Sequence, residues 1–324
     1  MNNFSITTPL NLAPTGIASF AKSSICQDIR EFEGDIAILG APFDMSIQGR
    51  SGCRLGPRGI RMASTRFSYV PGGTYNAEKN CFFMDSNKWK VKDCGDVDYI
   101  PGDPKGTCEN LEEAVRILIR KGGLPVILGG DCSVVYPVVK GLEEKGLLDI
   151  IHFDAHLDWT KPMDGQKYFN GSPMRNAAEL THVGRILHLG IRGAGSSGPD
   201  DFAAAKAHGD QVYSVRMLRR MGIEKILERF EPTKQIFVAI DIDVMDAVCA
   251  PGTASSMFGG FWYEEMIDMF EVLVKGEETH GEIYVKLSKI EPNRSQPRKN
   301  FDEEQLQQLA DSMKRYGVPR PEET

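Results

Sequence analysis

The sequence predicts a three-layer α/β/α protein in which a mostly parallel central sheet lies between two layers of helices. Short runs of consecutive apolar residues are typical of strands buried on both faces. Stretches with apolar residues every three or four positions separate these runs and are typical of amphipathic helices. Aspartate-rich motifs follow three of the apolar runs, at the edge where open α/β sheets bind ligands.

The elements follow from these patterns in chain order. The apolar runs predict strands at 36–39, 125–128, 150–153, 186–189, 236–240 and 283–287. The amphipathic stretches predict helices at 109–121, 215–229, 262–275 and 303–315, the second of them interrupted by Gly222. Gly122 stands where a glycine commonly ends a helix.

The chain shows no linker-like composition and no internal repeat. We therefore predict one domain over residues 26–324. Residues 1–25 contain two prolines and scattered large apolar side chains. We predict that they form an arm that packs on a neighbouring subunit, with a flexible tail as the alternative.

Composition narrows the class of protein. The 324 residues are 41% apolar, enough for a sizeable core, and the net charge of −7 disfavours binding to nucleic acid or to anionic membranes. No apolar stretch approaches the ~18 residues of a membrane span, and no secretory signal is visible. Seven cysteines without CxxC spacing indicate reduced thiols, so we expect a cytoplasmic protein.

Two motifs predict a metal site. Asp154, His156 and Asp158 alternate directly after one predicted strand, and Asp241 and Asp243 do so after another. Alternation in an extended segment puts such side chains on one side of the backbone. Carboxylate and imidazole ligands suit first-row transition metals, which lower the pKa of bound water.

The combination resembles the ureohydrolase family, which includes arginase and agmatinase. The run Gly40-Ala41-Pro42-Phe43-Asp44 and the glycine- and arginine-rich run over residues 52–61 carry the resemblance further, so that it extends over nearly the whole chain. It implies a ureohydrolase-like fold, two Mn²⁺ or Ni²⁺ ions, assembly into trimers or hexamers, and hydrolysis of a guanidine-type small molecule to urea and an amine.

The resemblance also implies roles for individual residues. The implied metal ligands are Cys132, Asp154, His156, Asp158, Asp241 and Asp243. Asp158 would in addition help to move a proton to the leaving amine.

Four positions depart from the family pattern. Cys132 replaces a histidine ligand, and a thiolate is a soft ligand that suits Mn²⁺ poorly. We expect one metal to be weakened or lost, with a retuned site as the alternative. Asn170 stands at the second catalytic position that the resemblance implies, where it replaces a histidine; its amide can form hydrogen bonds but cannot shuttle a proton. Met257 replaces a carboxylate, and Lys289 replaces a glutamate that meets the guanidinium in relatives, unless the alignment shifts to Glu291.

These departures favour a weakly or non-catalytic subunit that assembles with an active ureohydrolase paralogue. Metformin hydrolase, a nickel-dependent ureohydrolase built from two related chains, has such an altered partner, and this sequence resembles it. The alternatives are an active agmatinase-like guanidino hydrolase with shifted metal and substrate preference, and a regulatory metal-binding protein of the same fold. We predict His152 and His188 to be hydrogen-bonded core residues.

Overall fold

The computed structural model describes residues 12–275, apart from 48, 68, 163–164, 196 and 234. Its strands are β1 (Ser24–Ile25), β2 (Ile36–Gly40), β3 (Thr74–Asn76), β4 (Cys81–Phe83), β5 (Val91–Asp96), β6 (Leu124–Leu128), β7 (Leu148–Phe153), β8 (Val183–Leu189), β9 (Gln211–Tyr213) and β10 (Ile236–Ile240). Two four-stranded parallel sheets have the orders β1-β5-β2-β6 and β10-β7-β8-β9. Strands β3 and β4 form a small antiparallel hairpin.

Helices follow most of the strands. They are α1 (Gly56–Ser64), α2 (Pro104–Arg120), α3 (Val135–Gly141), α4 (Pro173–Ala178), α5 (Pro199–His208), α6 (Val215–Met221), α7 (Ile223–Phe230) and α8 (Tyr263–Lys275). Gly222 has a φ of +79° and separates α6 from α7, as its position in the sequence predicts. Gly122, with a φ of +77°, follows the end of α2.

Helices pack on both faces of the second sheet, which confirms the predicted layering. Successive residues of β7 enter two different apolar clusters: Leu148 and Ile150 join the first, and Ile151 and Phe153 join the second. The first cluster contains residues of α2, α3 and α4, and the second contains residues of α6, α7 and α8. A strand with apolar residues on both faces has no period-two pattern, which is why its sequence is a continuous apolar run.

Five of the six predicted strands are confirmed as β2, β6, β7, β8 and β10. The strand predicted at 283–287 and the helix predicted at 303–315 lie outside the described residues. Among the described residues, β6 pairs with β2 and β10 pairs with β7.

The sequence pattern gives no sign of β5, because charged residues interrupt it. Asp93 lies in the middle of this strand, is only 3% exposed, and forms an ion pair with Arg61 of α1. The Nε–Oδ2 distance is 2.8 Å, and Arg61 also reaches Asp96 at the end of the strand. The arginine-rich run over residues 52–61 therefore joins α1 to the first sheet.

The end of the predicted arm contacts β5 and α1 of the same chain. Strand β1 pairs in parallel with β5, and the backbone N–H of Phe20 donates to the Asp93 carboxylate at 2.7 Å. Ala21 is buried, and its N–H donates to Ser64 of α1. The contact of the arm with a neighbouring subunit stays a prediction.

Candidate metal centre

The loops that follow β6 and β10 meet at the carboxyl ends of these strands. Cys132, in the loop after β6, lies against Asp241, directly after β10, with 2.6 Å between Sγ and Oδ2. Asp241 also accepts the N–H of Asp243 and so begins the short 3₁₀ turn Ile242–Val244. Gly130 lets the loop after β6 pass close to the backbone of Phe43, since a Cβ at residue 130 would lie 1.8 Å from the backbone oxygen of Phe43.

Asp154 is shared by two groups of candidate ligands. Cys132, Asp154 and Asp158 form the first, which we call the cysteine group. Asp154, His156 and Asp243 form the second, the histidine group. Within each group the ligand atoms all lie within 4.8 Å of one another. The structure thus brings the predicted ligands together, while their coordination of a metal stays a prediction.

The histidine group is hydrogen-bonded throughout. His156 Nδ1 lies 3.0 Å from Asp243 Oδ2 and 3.4 Å from Asp154 Oδ1. The contacts with Asp154 and then Asp243 raise the pKa of His156 to about 11. Burial acts to raise the pKa of Asp154, but His152 and His156 outweigh it and hold that pKa below its ordinary value. One imidazolium here offsets part of the negative charge of two carboxylates.

The cysteine group has no such internal cation. Burial raises the pKa of Asp158 well above its ordinary value, and the carboxylates of Asp154 and Asp241 add to the effect. Burial and the charges of Asp154 and Asp243 raise the pKa of Asp241 to about 7. Burial, followed by the carboxylates of Asp241, Asp158 and Asp154, raises the pKa of the Cys132 thiol. Buried negative charges without a partner are costly, so this group needs a cation or added protons.

Asp158 has an uncommon backbone conformation and a carboxylate oxygen without a hydrogen-bond partner among the described residues. Its φ of +55° is a left-handed conformation that few residues other than glycine adopt. Its Oδ2 atom is buried and has no hydrogen-bond partner among the described residues. The backbone oxygen of Asp158 instead accepts the N–H groups of Met174 and Arg175 at the start of α4. A buried carboxylate oxygen without a donor fits a metal ligand.

A chain of buried side chains positions Asp154 from behind. His152 Nε2 lies 2.9 Å from Asp154 Oδ2, and the Nδ1 atoms of His152 and His188 are 3.0 Å apart. His188 faces Asp210, which also binds His208 at 2.7 Å. Both predicted core histidines are therefore confirmed as buried and hydrogen-bonded. The alternation of His152 and Asp154 at the end of β7 puts these two residues on one side of the backbone. The contribution of Asp210, by contrast, was not predicted.

Asn170, the predicted catalytic position, lies in the same cavity as the ligand groups. Its backbone N–H donates to Ser46 Oγ at 3.0 Å, and Ser46 in turn donates to Asp131, the residue before Cys132. Asp131 is 3% exposed and accepts the N–H of Ser133. Ser46 and Asp131 thus join the Asn170 loop to the Cys132 loop, a role that no motif in the sequence indicates.

Met257 lies against the neighbouring loop that contains Gly193. A Cβ on Gly193 would lie 2.3 Å from the Met257 sulphur. Arg192 holds the same loop, because its Nη2 donates to the backbone oxygens of Asp243, Met245 and Met257 at 2.6, 3.1 and 2.8 Å. Lys289 and Glu291 lie outside the described residues, so their predicted positions stay predictions.

Two findings bear on the wider setting. All seven cysteines are free, as the sequence predicts. In the part of the chain that the structure describes, every helix is too short or too polar to cross a membrane.

Comparisons with known proteins identify the family. The sequence profile of the Arginase family matches residues 34–285. Agmatinase of Bacillus subtilis is 30% identical over 246 residues, which cover 76% of this chain and 80% of that protein. Guanidinopropionase of Pseudomonas aeruginosa is 32% identical over 231 residues, which cover 69% and 70% of the two chains.

A solved structure supports the fold. Trypanosoma cruzi formiminoglutamase, determined with Mn²⁺, superposes with a TM-score of 0.69 at 23% identity, covering 82% of this chain and 88% of that one. A second profile, that of the ParB N-terminal domain, matches residues 273–321. That match overlaps the end of the Arginase match and includes Lys289. The single domain predicted over residues 26–324 therefore stays a prediction. The Arginase profile covers most of the chain, and the chain belongs to the arginase family of ureohydrolases.

Proposed function

We propose that this chain is a metal-binding, weakly or non-catalytic subunit of a heteromeric ureohydrolase similar to metformin hydrolase. The assembly would hydrolyse a guanidine or biguanide compound to urea and an amine, and an active paralogue would supply the main catalytic site in a trimer or hexamer. The observation that carries the proposal is Cys132, which is the one soft side chain in a site otherwise built from carboxylates and an imidazole.

The histidine group is better suited to a divalent cation than the cysteine group. The histidine group offers two buried carboxylates and an imidazole, a set that suits Mn²⁺ or Ni²⁺. The cysteine group offers Asp158 with its unpartnered oxygen, but its third ligand is a thiol. When bound, a pair of such cations supplies Lewis acidity and lowers the pKa of water. A chain that holds one ion firmly and the other weakly would supply less of this chemistry.

Proton transfer is also reduced in this site. Asn170 donates and accepts hydrogen bonds through its amide, but an amide does not take up and release a proton near neutral pH. Asp158 remains, because its carboxylate faces the cavity and can carry a proton to a leaving amine. The hydrolysis needs proton transfer at two positions, and Asp158 can serve only one of them. We therefore expect slow turnover by the chain alone.

A second candidate is an active agmatinase-like guanidino hydrolase with a changed metal preference. The convergence of all six predicted ligands favours it, since a site under no functional demand has no reason to keep four carboxylates together. Two relatives at 30% and 32% identity are an agmatinase and a guanidinopropionase. Under this proposal Cys132 is a ligand that selects a softer metal such as Ni²⁺. Under either proposal the free cysteines support a reducing, cytoplasmic setting.

The test measures urea release from metformin, guanidine and agmatine, with Mn²⁺ or Ni²⁺ supplied. The chain is assayed alone and after co-expression with a ureohydrolase paralogue that has all six family ligands. We expect turnover in the mixture only, and we expect it to survive Asp154→Ala in this chain. Asp200→Ala, a change of an exposed aspartate at the start of α5, is the matched control.

Each outcome decides between the candidates. Turnover by the chain alone that is abolished by Asp154→Ala, and unaffected by Asp200→Ala, would establish the active enzyme and exclude the partner role. Binding of Mn²⁺ without urea release in any mixture would exclude both candidates and favour a regulatory protein.

A further inference from the structure

The loop that follows β8 lies against the histidine group, although neither ligand group contains any of its residues. We call residues 190–195, which read Gly-Ile-Arg-Gly-Ala-Gly, the β8 loop. A Cβ on Gly195 would lie 3.2 Å from the ring of His156. The backbone N–H of Arg192 donates to the carbonyl oxygen of Ala155, the residue that separates two of the ligands, at 2.9 Å. The β8 loop therefore packs directly on the ligand segment that follows β7.

The side chain of Arg192 crosses to the segment that carries the third ligand. Its guanidinium donates to the backbone oxygens of Asp243, Val244 and Met245 at 2.6, 3.2 and 3.1 Å. These three carbonyls lie at the end of the 3₁₀ turn Ile242–Val244, and the last carbonyls of a helical turn have no partner within it. Arg192 therefore binds the end of this turn, as basic side chains commonly do at the carboxyl ends of helices.

The same guanidinium joins a third segment to the first two. It donates to the backbone oxygens of Met257 at 2.8 Å and Phe258 at 3.1 Å, and to that of Gly190 at 3.4 Å. Six backbone carbonyls thus accept hydrogen bonds from the five N–H groups of one side chain. A planar fork of donors can hold several backbone segments at once, whereas the single ammonium group of a lysine cannot.

These contacts form a closed ring of hydrogen bonds through the histidine group. The Arg192 side chain binds the backbone oxygen of Asp243, and Asp243 Oδ1 accepts the N–H of Ala155 at 3.0 Å. The carbonyl of Ala155 accepts the backbone N–H of Arg192, which closes the ring. Asp243 Oδ2 lies 3.0 Å from His156 Nδ1. The position of the Asp243 backbone therefore determines where its carboxylate meets the other two ligands.

We propose that Arg192 is the positioning residue of the histidine group. It fixes Asp243 relative to Asp154 and His156 through backbone carbonyls, and in this way it determines the affinity of the group for a divalent cation. The inference rests on the proposed metal binding and extends it to a residue outside both ligand groups.

The charge of Arg192 would have the opposite effect on metal binding. The carboxylates of Asp243, Asp246 and Asp154 are its neighbours, and a positive charge beside them repels a metal cation. Arg192→Lys separates the two effects, because lysine keeps the charge and loses the fork of donors. A role in positioning predicts weaker metal binding in this variant, whereas a role of charge alone predicts no change.

The test compares Arg192→Lys with Arg219→Lys by titration of the full chain with Mn²⁺ at neutral pH. Arg219 of α6 is the matched control, because its guanidinium also joins a side chain and a backbone oxygen, those of Glu265 and Gly260, which lie outside the two ligand groups. We expect Arg192→Lys to weaken the tightest Mn²⁺ binding by about tenfold or more and Arg219→Lys by less than about threefold. An unchanged affinity in Arg192→Lys overturns the proposal, and so does an equal loss in the two variants.

Amide hydrogen exchange in EDTA gives a second readout that needs no metal. The Ala155 amide donates to the Asp243 carboxylate, so its exchange reports whether this ligand is in place. We expect this amide to exchange at least about tenfold faster in Arg192→Lys than in the wild-type chain, and at the wild-type rate in Arg219→Lys. The amides of β7, a strand that is paired on both sides, report whether the fold persists.

The two readouts separate failure of this inference from failure of the proposed function. If the wild-type chain binds no Mn²⁺, the proposed metal binding is wrong, and the Ala155 amide alone decides: faster exchange in Arg192→Lys supports the positioning role, and an unchanged rate overturns it. If Arg192→Lys does not fold, NMR of the wild-type Arg192 side chain decides. Hindered rotation of its guanidinium and slow exchange of its Nη hydrogens support the role, and free rotation overturns it.

Discussion

The two groups of candidate ligands share Asp154 but differ in how their charge is balanced. In the histidine group, His156 contacts both carboxylates and offsets part of their charge. In the cysteine group, the thiol of Cys132 also contacts Asp241, which lies beside the group, and Asp158 keeps an oxygen without a partner among the described residues. The two groups therefore differ in charge balance, because an imidazole lies among the carboxylates of one group and a thiol lies among those of the other.

The largest expected effect comes from removing one ligand of each group in turn. We expect His156→Ala to weaken Mn²⁺ binding by at least about a hundredfold, because it removes a ligand from the firmer group. Cys132→Ala should change this affinity by less than about threefold. Isothermal titration calorimetry of the two variants and the wild-type chain measures the difference. Equal losses in the two variants would show that the groups act as one site.

Restoring a hard ligand should remove the difference between the groups. We expect Cys132→His to raise the number of tightly held Mn²⁺ ions from one to two per chain, because an imidazole suits this metal better than a thiol. Metal analysis after dialysis gives the number. Cys249→His, at an exposed cysteine, is the control. Two ions in the wild-type chain would contradict the prediction.

A smaller effect should come from the residue behind the shared ligand. His152 binds Asp154 Oδ2 at 2.9 Å, and partners of ligands commonly contribute 10- to 100-fold to metal affinity. We expect His152→Ala to weaken binding at both groups by about tenfold. His182→Ala, which removes a buried histidine bound to the Val139 carbonyl, is the matched control for lost packing. Titration with Mn²⁺ separates the two variants.

The smallest effect concerns the support of the cysteine group. Glu112 of α2 binds Lys140 of α3, the helix that follows the Cys132 turn, and Arg116. Burial raises the pKa of Glu112, but Lys140 and Arg116 outweigh it and lower the pKa below 4.5. A carboxyl group whose pKa is lower in the folded than in the unfolded state stabilises the fold at pH values above its unfolded-state pKa. This stabilisation is lost as the pH falls through the folded-state pKa.

We therefore expect Glu112→Gln to lower the free energy of unfolding by about 1 kcal/mol at pH 7 and by less as the pH falls below the ordinary range of a glutamate. Urea denaturation at neutral and at acidic pH measures the change. Glu109→Gln, on an exposed position of the same helix, should have little effect at either. A loss that is equal at the two pH values would show that the glutamate acts through packing instead.

The sequence predicts well those features that have a local pattern, such as buried strands and alternating metal ligands. The strands β2, β6, β7, β8 and β10 are continuous apolar runs, and the alternation of Asp154, His156 and Asp158 is visible without a structure. The convergence of the three loops also follows, because parallel strands end at one edge.

The missed features depend on contacts between distant parts of the chain. Strand β5 is hidden because Arg61 compensates the charge of Asp93, 32 residues away. The link from Ser46 to Asp131 spans 85 residues, and Asp210 lies 22 residues from His188. No local pattern records such pairs, since each residue alone has the composition of a surface loop.

The separation of the two loops along the chain has a consequence for the time course of synthesis. Cys132 and Asp241 are in contact but lie 109 residues apart, so the Cys132 loop leaves the ribosome well before its partner has been translated. The candidate metal centre can therefore assemble only after β10 has been made, and a metal ion can contribute to folding only from that stage onward.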